Sequence, residues 1–326
     1  MSKQQIKQQI IAITGATATG KSTLALKLAE QIIKKGRAQR VFLLSVDSRQ
    51  VYQGLEILTA ADIPHGWQVV KAKPYRYFTH PQLTISLHGI SIIPIWQDWS
   101  PAHFKKLYQN LKEKMAENDV LILVGGTGFY YQQLTQPAAT LFIPPNQALR
   151  KQLEKKSLAF LQEQLRQIDP EKFETMNSSD SQNPRRLIRA IEIAQANKGV
   201  KTEKTSEKQE KNNIINIHLS LNNKDQQQQI KRRVAERFKH AIHEVRAALN
   251  QFELSAELPV ASTIGFTELC KHLDHQLNSK QALLAWQRAE IQYSKRQTTW
   301  WKKVPDLIRL EANDPQLLTK TLRLVL

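Results

Sequence analysis

The octapeptide Gly15-Ala16-Thr17-Ala18-Thr19-Gly20-Lys21-Ser22 constrains this chain more than any other stretch. It matches G-x-x-x-x-G-K-[ST] and sits between an apolar run, Ile10 to Ile13, and a helical stretch, Ser22 to Lys34. A loop of this kind works only where a strand delivers the chain to a helix N-terminus. Its backbone N–H groups then wrap phosphate oxygens, the helix adds positive potential, Lys21 supplies a point charge, and the Ser22 hydroxyl suits a magnesium ion. The expected phosphate-binding set is Gly15, Ala16, Thr17, Ala18, Thr19, Gly20, Lys21, Ser22 and Thr23. Two further apolar runs, Val41 to Val46 and Val120 to Val124, read as strands buried on both faces of a parallel sheet, the second preceded by a helical stretch from about Ala102 to Glu117. Strand, helix, strand repeated in this way reads as a doubly wound α/β sheet with helices on both faces. The strands end in Thr14-Gly15, Asp47-Ser48 and Gly125-Gly126-Thr127, and the carboxyl edge of such a sheet is where ligands bind.

Farther along, Leu83 to Leu87 alternates like a strand or hairpin arm within a stretch, Lys71 to Trp99, rich in Pro and aromatics. From about Asn146 to Asn197 the pattern turns helical, with Leu149, Leu153, Leu158, Leu161 and Leu165 on one face. Residues 198–213 are almost wholly polar and read as a mobile connector. Ile214 to Ile217 resembles one more strand, followed by helices from Asp225 to Asn250 and from Lys280 to Lys302. The expected organisation is a catalytic core over 1–140, its sheet rejoined by about 214–222 and 304–326, with a mainly helical, nucleic-acid-binding region over 141–303.

Charge narrows the partner. Lys and Arg number 47 against 29 Asp and Glu, a net +18, so the molecule attracts polyanions. At 326 residues the chain can bury a sizeable core, and its single cysteine, Cys270, excludes a disulfide framework or a Cys-built zinc finger. The run at Ile10 to Ile13 is too short for a signal-peptide core or a membrane span, so the expected compartment is the cytoplasm, with no membrane partner. Cationic stretches crowd the second half. Asn183 to Arg189 opens a helix with Arg185 and Arg189 four apart, Lys231 to Arg246 carries six Lys or Arg against two Glu, and Ser294 to Lys303 interleaves cations with indoles. The pairs His272/His275 and His240/His243 supply no recognised metal spacing.

Two strand ends stay open on the residues alone. The run ending in Gly125-Gly126-Thr127 carries no acid, whereas a nucleotide hydrolase needs one to help hold its metal. Asp47 is thus a displaced metal ligand, a general base, or a helix N-cap for a segment starting at Ser48 or Arg49. Gly125 to Gly128 is a plain turn or a source of N–H groups and the Thr127 hydroxyl for a phosphate or leaving oxygen.

Taken together, these residues resemble the bacterial tRNA dimethylallyltransferase (tRNA isopentenyltransferase) family. The resemblance runs in order through Gly15 to Ser22, Ser45-Val46-Asp47-Ser48 with Tyr52 and Gly54, Leu123 to Thr127, Pro184 to Glu192, Glu244-Val245-Arg246, Ile264-Gly265-Phe266 and Lys295 to Trp300. It implies a P-loop NTPase-like fold whose loop holds the diphosphate of dimethylallyl diphosphate, with magnesium at Ser22. It also implies transfer of the prenyl group to N6 of the adenosine at tRNA position 37. Asp47, Thr127 and Lys21 become the catalytic residues: Asp47 takes the N6 proton and Thr127 reaches the bridging oxygen. Asp47, Ser48, Arg49, Gln50, Arg185, Arg186, Arg189, Lys295, Arg296, Gln297 and Trp300 become the contacts to the anticodon stem-loop. A monomer is expected.

The chain departs from the family pattern in places. After Leu58-Thr59-Ala60 the usual basic residue is replaced by Ala61-Asp62, Ser91 stands where an Asp is expected, and the Arg and Cys that flank Ile264-Gly265-Phe266 are absent. The competing readings are a small-molecule kinase, which shares the first motif, an adenylate isopentenyltransferase acting on AMP or ATP, and a non-catalytic RNA-binding protein. The first predicts a metal-holding acid after Val124, and the second leaves the long basic half unexplained.

Overall fold

The computed structural model describes residues 9–197, 214–251 and 259–326, so the connector expected at 198–213 lies outside the described residues. The chain divides into two compact units. Residues up to Thr135, together with those from Ile214 on, form one, and residues from Gln136 to Asn197 form the other.

The first unit is built on a sheet of β1 (Gln9–Gly15), β2 (Arg40–Ser45), β3 (Gln68–Val70), β4 (Tyr77–Thr79), β5 (Ile85–His88), β6 (Asp119–Gly125), β7 (Ile214–Ser220) and β8 (Ile308–Glu311). The strand order is β3-β4-β5-β2-β6-β1-β7-β8. From β5 to β8 every pairing is parallel, while β3 and β4 add an antiparallel edge. That edge modifies the parallel sheet expected from sequence. Its strands are only three residues long, which suits a short hairpin closing an otherwise exposed border.

Alternation along the strands decides which helix covers which face. Ile11 and Ile13 of β1 face Leu24, Leu28 and Ile32 of α1 (Lys21–Lys34), with Leu43 and Ile122 beside them. The intervening Ile10 and Ala12 join Phe42, Leu44, Leu121 and Leu123 against α2 (Pro101–Lys114) and α3 (Gly128–Thr135). Leu28 and Ile32 are fully buried, a burial that stabilises by about 1.5–3 kcal/mol per side chain.

The second unit packs five helices: α4 (Gln147–Leu153), α5 (Leu158–Ile168), α6 (Pro170–Thr175), α7 (Ser178–Ser181) and α8 (Pro184–Asn197). Its core is Leu153, Leu161 and Leu165 against Leu187, Ile188 and Ile191, with Leu149 and Leu158 at the margin.

The helical region expected over 141–303 does not hold together as one body. The helices α9 (Asn223–Gln251), α10 (Phe266–Leu273) and α11 (Ser279–Trp301) belong to the sheet unit, as does α12 (Leu317–Val325). The reason is the apolar stripe of α9. Ile230, Val234, Phe238, Ala241 and Val245 recur at helical spacing and share one core with the sheet face, together with Trp286 and Trp301 of α11.

Candidate active site

Three strand ends meet at the carboxyl edge of the sheet. Ser45 pairs with Val124 and Thr14 with Gly125, which brings the loops after β1, β2 and β6 side by side. The approach is close enough to require glycine: a Cβ on Gly126 would lie 2.8 Å from the Gly15 carbonyl oxygen, and one on Gly125 would collide with Val46. The loop after β1 turns into α1 through Ala18 and Gly20, both at positive φ, 64° and 79°. No side chain caps α1, in contrast to α2, α4, α5 and α11, which Ser100, Asn146, Ser157 and Asn278 cap. The first-turn N–H groups of α1 are therefore left for an anion.

These loops line a cavity of about 520 Å³. From α1 and its loop come Thr17, Ala18, Gly20, Lys21, Ser22 and Thr23; from the β2 end Asp47, Ser48, Arg49 and Gln50; from α11 Tyr293, Arg296 and Gln297. Gly15, Ala16 and Thr19 support the loop from below, where the Thr19 hydroxyl donates to the Ala16 carbonyl at 2.9 Å. Lys21 Nζ donates to the same carbonyl at 2.6 Å. Burial in the cavity, reinforced by Arg233 and opposed by Asp62 and Asp47, lowers the Lys21 ammonium to about 8.

Asp47 divides its two oxygens. Oδ1 accepts the backbone N–H groups of Arg49 and Gln50 at 2.7 and 3.2 Å, while Oδ2 accepts the Thr127 hydroxyl at 3.5 Å. The chain continues from Asp47 as a run of turns and no helix begins at Ser48 or Arg49, so the carboxylate caps a turn with one oxygen and keeps the other for the cavity. Burial raises the pKa of Asp47, against the hydrogen bonds from its own turn and the charges of Arg49 and Lys21. Thr127 Oγ1 also lies 3.4 Å from the Tyr293 hydroxyl, which burial raises to about 12 and which therefore stays protonated.

The IPP transferase family model matches residues 50–304. This chain belongs to the IPP transferase family. It is 29% identical over 322 residues to the tRNA dimethylallyltransferase of Synechocystis sp., covering 97% of this chain and 95% of that protein. It is 30% identical over 307 residues to that of Christiangramia forsetii, covering 91% of each. Among solved structures, the tRNA isopentenylpyrophosphate transferase of Staphylococcus epidermidis superposes with a TM-score of 0.62 at 25% identity, covering 97% of both chains. The Bacillus halodurans enzyme gives 0.64 at 23%, over 97% of this chain and 95% of that one. A eukaryotic dimethylallyltransferase described as acting on tRNA gives 0.69 at 21%, over 94% and 74%. The last two speak to the fold, an α/β P-loop-like architecture.

Within this family member, several expected RNA contacts are committed elsewhere. Gln297 is buried, and its Oε1 accepts the Thr17 backbone N–H at 2.8 Å, so it clamps the phosphate loop. Trp300 packs its ring over Gly128, where any Cβ would collide with it, and Trp301 beside it donates to the Gly126 carbonyl at 3.1 Å. Both indoles pack against this turn: Gly128 makes room for the Trp300 ring, and Gly126 for the Gln297 amide and the Gly15 carbonyl. Gln50 spans its own turn, accepting from Ser45 at 2.7 Å and donating to the Ala60 carbonyl at 2.8 Å. In the second unit Arg189 donates to Glu192 at 3.0 Å and to the Ile143 carbonyl at 2.8 Å, and Arg186 pairs with Asp180. Arg185, Lys295 and Arg296 remain exposed, the last over the Tyr293 ring at 5.6 Å.

Sequence reasoning missed the contribution of α9. Gln226 Nε2 donates to the Thr17 carbonyl at 3.1 Å, and Gln229 and Arg233 line the cavity. It also missed Tyr293, whose position four residues before Gln297, one helical turn, was the available signal. The departures acquire partners: Ser91, at φ 53°, is held by Arg76 and Glu56, and Arg49 reaches the Pro259 carbonyl and the Ser262 hydroxyl, both at 2.7 Å.

Proposed function

We propose that this chain transfers a dimethylallyl group from dimethylallyl diphosphate to N6 of the adenosine at tRNA position 37, next to the anticodon, releasing diphosphate. The observation that carries the reading is the Asp47 carboxylate, whose second oxygen accepts the Thr127 hydroxyl and which lines the same cavity as an uncapped helix N-terminus and Lys21. A base and a hydroxyl beside a phosphate cradle suit the alkylation of an amine by a diphosphate ester. The names of the relatives, tRNA dimethylallyltransferase, support both donor and acceptor.

In this mechanism the diphosphate lies against the first-turn N–H groups of α1, Lys21 and Arg233. N6 attacks the allylic carbon while Asp47 takes its proton. The carbon–oxygen bond breaks, its electron pair leaves on the bridging oxygen, and the Thr127 hydroxyl, steadied by Tyr293, donates to that oxygen. Burial favours this chemistry by making Asp47 a stronger base than an exposed carboxylate. Lys21, whose ammonium burial lowers to about 8, gains proton affinity next to the donor's negative charge and is held charged there.

Magnesium fits the donor set. Ser22, whose hydroxyl lines the cavity beside Lys21, would hold the ion, which would neutralise charge developing on the leaving diphosphate. The tRNA surface includes Ser48 and Arg49 at the cavity, Lys295 and Arg296 on α11, and Arg185 on α8. A loop adenosine can leave its stack at low cost to reach Asp47. Among the described residues no helix is long and apolar enough to cross a membrane, and the reading includes a monomer acting in the cytoplasm.

The test is incubation with magnesium, dimethylallyl diphosphate and unmodified tRNA carrying an adenosine-rich anticodon loop, with AMP and ATP in parallel, followed by nucleoside mass measurement. A five-carbon increment on one tRNA adenosine is expected. An increment on AMP alone would replace the acceptor, and none on any acceptor would overturn the reading.

A further inference from the structure

Helix α9 aims two arginines, one turn apart, at carboxylates that line the cavity. The two pairs differ in kind. Arg237 lies 3.4 Å from Glu290, donates to the Ile57 and Leu58 carbonyls at 3.2 and 3.0 Å, and packs over the Trp286 ring; its side chain and that of Glu290 are 16% and 12% exposed. That guanidinium is fully engaged and fixed. Arg233 lies 3.3 Å from Asp62, with side chains 28% and 47% exposed, and its guanidinium has no other hydrogen-bond partner among the described residues. An exposed pair of this sort is weak and exchanges readily. Both members line the cavity with Lys21 and the N-terminus of α1, so a carboxylate stands where a diphosphate is to bind.

We propose that Asp62 is an internal competitor for the donor: in the free protein it holds the Arg233 guanidinium, and the diphosphate must displace it. This inference rests on the reading of the cavity as a dimethylallyl diphosphate site and adds a residue that sets donor affinity. Asp62 positions Arg233 and repels the incoming anion, and it takes no part in bond making. A carboxylate beside Arg233 in the cavity gives this chain a weaker grip on diphosphate than a chain without the acid. The same displacement in reverse helps the product leave, since Asp62 recaptures Arg233 as diphosphate departs.

Calorimetric titration of the full chain with inorganic pyrophosphate in the presence of magnesium tests this, comparing the native protein with Asp62→Asn. The variant should bind pyrophosphate roughly fivefold tighter, the upper end for an exposed ion pair. Its KM for dimethylallyl diphosphate should fall by a similar factor, with the KM for tRNA and the melting temperature unchanged. Unchanged pyrophosphate affinity would overturn the proposal. So would weaker binding with a raised magnesium requirement, which would make the carboxylate a metal ligand. If the native protein neither binds pyrophosphate nor prenylates tRNA, the reading of the cavity fails and takes this inference with it.

Discussion

Cations at the carboxyl edge of the sheet and cations in the helical unit carry the same formal charge and do different work. At the sheet edge Lys21, Arg233 and Arg296 line a cavity and reach it from three separate elements. In the helical unit Arg150 forks onto Glu192 at 2.7 and 2.8 Å, and Arg189 joins it while holding the Thr140 and Ile143 carbonyls. Glu192 is itself buried. The net +18 thus overstates how many charges are offered to a polyanion, since a buried carboxylate must be paired and consumes the arginines that pair it.

The contrast breaks most visibly at Asp47. Asp47→Ala should lower the rate of prenyl transfer by about a thousandfold, the scale for losing a general base, with tRNA affinity nearly intact; equal loss of tRNA binding would contradict the role given to that carboxylate. Lys21→Ala should reduce kcat/KM for dimethylallyl diphosphate by about a hundredfold, read from steady-state kinetics at saturating tRNA. In the other region the effect moves from catalysis to stability. Arg189→Ala should cost about 2 kcal/mol in urea unfolding without altering the salt dependence of tRNA binding. The pH dependence of that cost has a definite sign. Burial pushes Glu192 up, but hydrogen bonds from Arg150, Arg189 and the Asn146 backbone outweigh it and hold the carboxyl below its ordinary 4.5. A depressed folded pKa adds stability that is complete above the unfolded value and is lost as pH falls through the folded one. The Arg189→Ala penalty should therefore be full at neutral pH and shrink in acid below the ordinary Glu range. The smallest effect belongs to Arg185→Ala, which should reduce the salt slope of tRNA binding by about 1 and leave unfolding unchanged; an unaltered slope would move the RNA surface away from α8.

What could be read from the sequence was what short-range periodicity and motif spacing encode. The run from β1 through the phosphate loop to α1, and the strand ends at Asp47 and Gly125-Gly126-Thr127, are each local patterns, and they meet because parallel strands end on one edge. The contribution of α9 was hidden because Gln226 meets Thr17 of the loop 209 residues away and Arg233 meets Asp62 171 residues away, pairings no window reveals. The packing roles of Gln297 and Trp300 were hidden for a different reason. Cations interleaved with indoles have one composition whether the rings stack on bases or fill a core, and the available signal lay in Gly126 and Gly128, which make room for the Gln297 amide and the Trp300 ring respectively. The placing of α9 to α11 with the sheet unit was not legible, because an amphipathic helix does not announce which body its apolar stripe will cover.

Thr17 is held from both sides, its N–H by Gln297 of α11 and its carbonyl by Gln226 of α9. The peptide units of the proposed phosphate cradle are thereby hydrogen-bonded to the helix that carries Lys295 and Arg296. Where a ligand reorients Thr17 on binding, its coupling to a ligand that grips α11 is equal in both directions by thermodynamic reciprocity. Diphosphate at the loop should change the affinity for RNA by the same factor by which RNA changes the affinity for diphosphate, and titrating each in the presence of the other measures that factor twice.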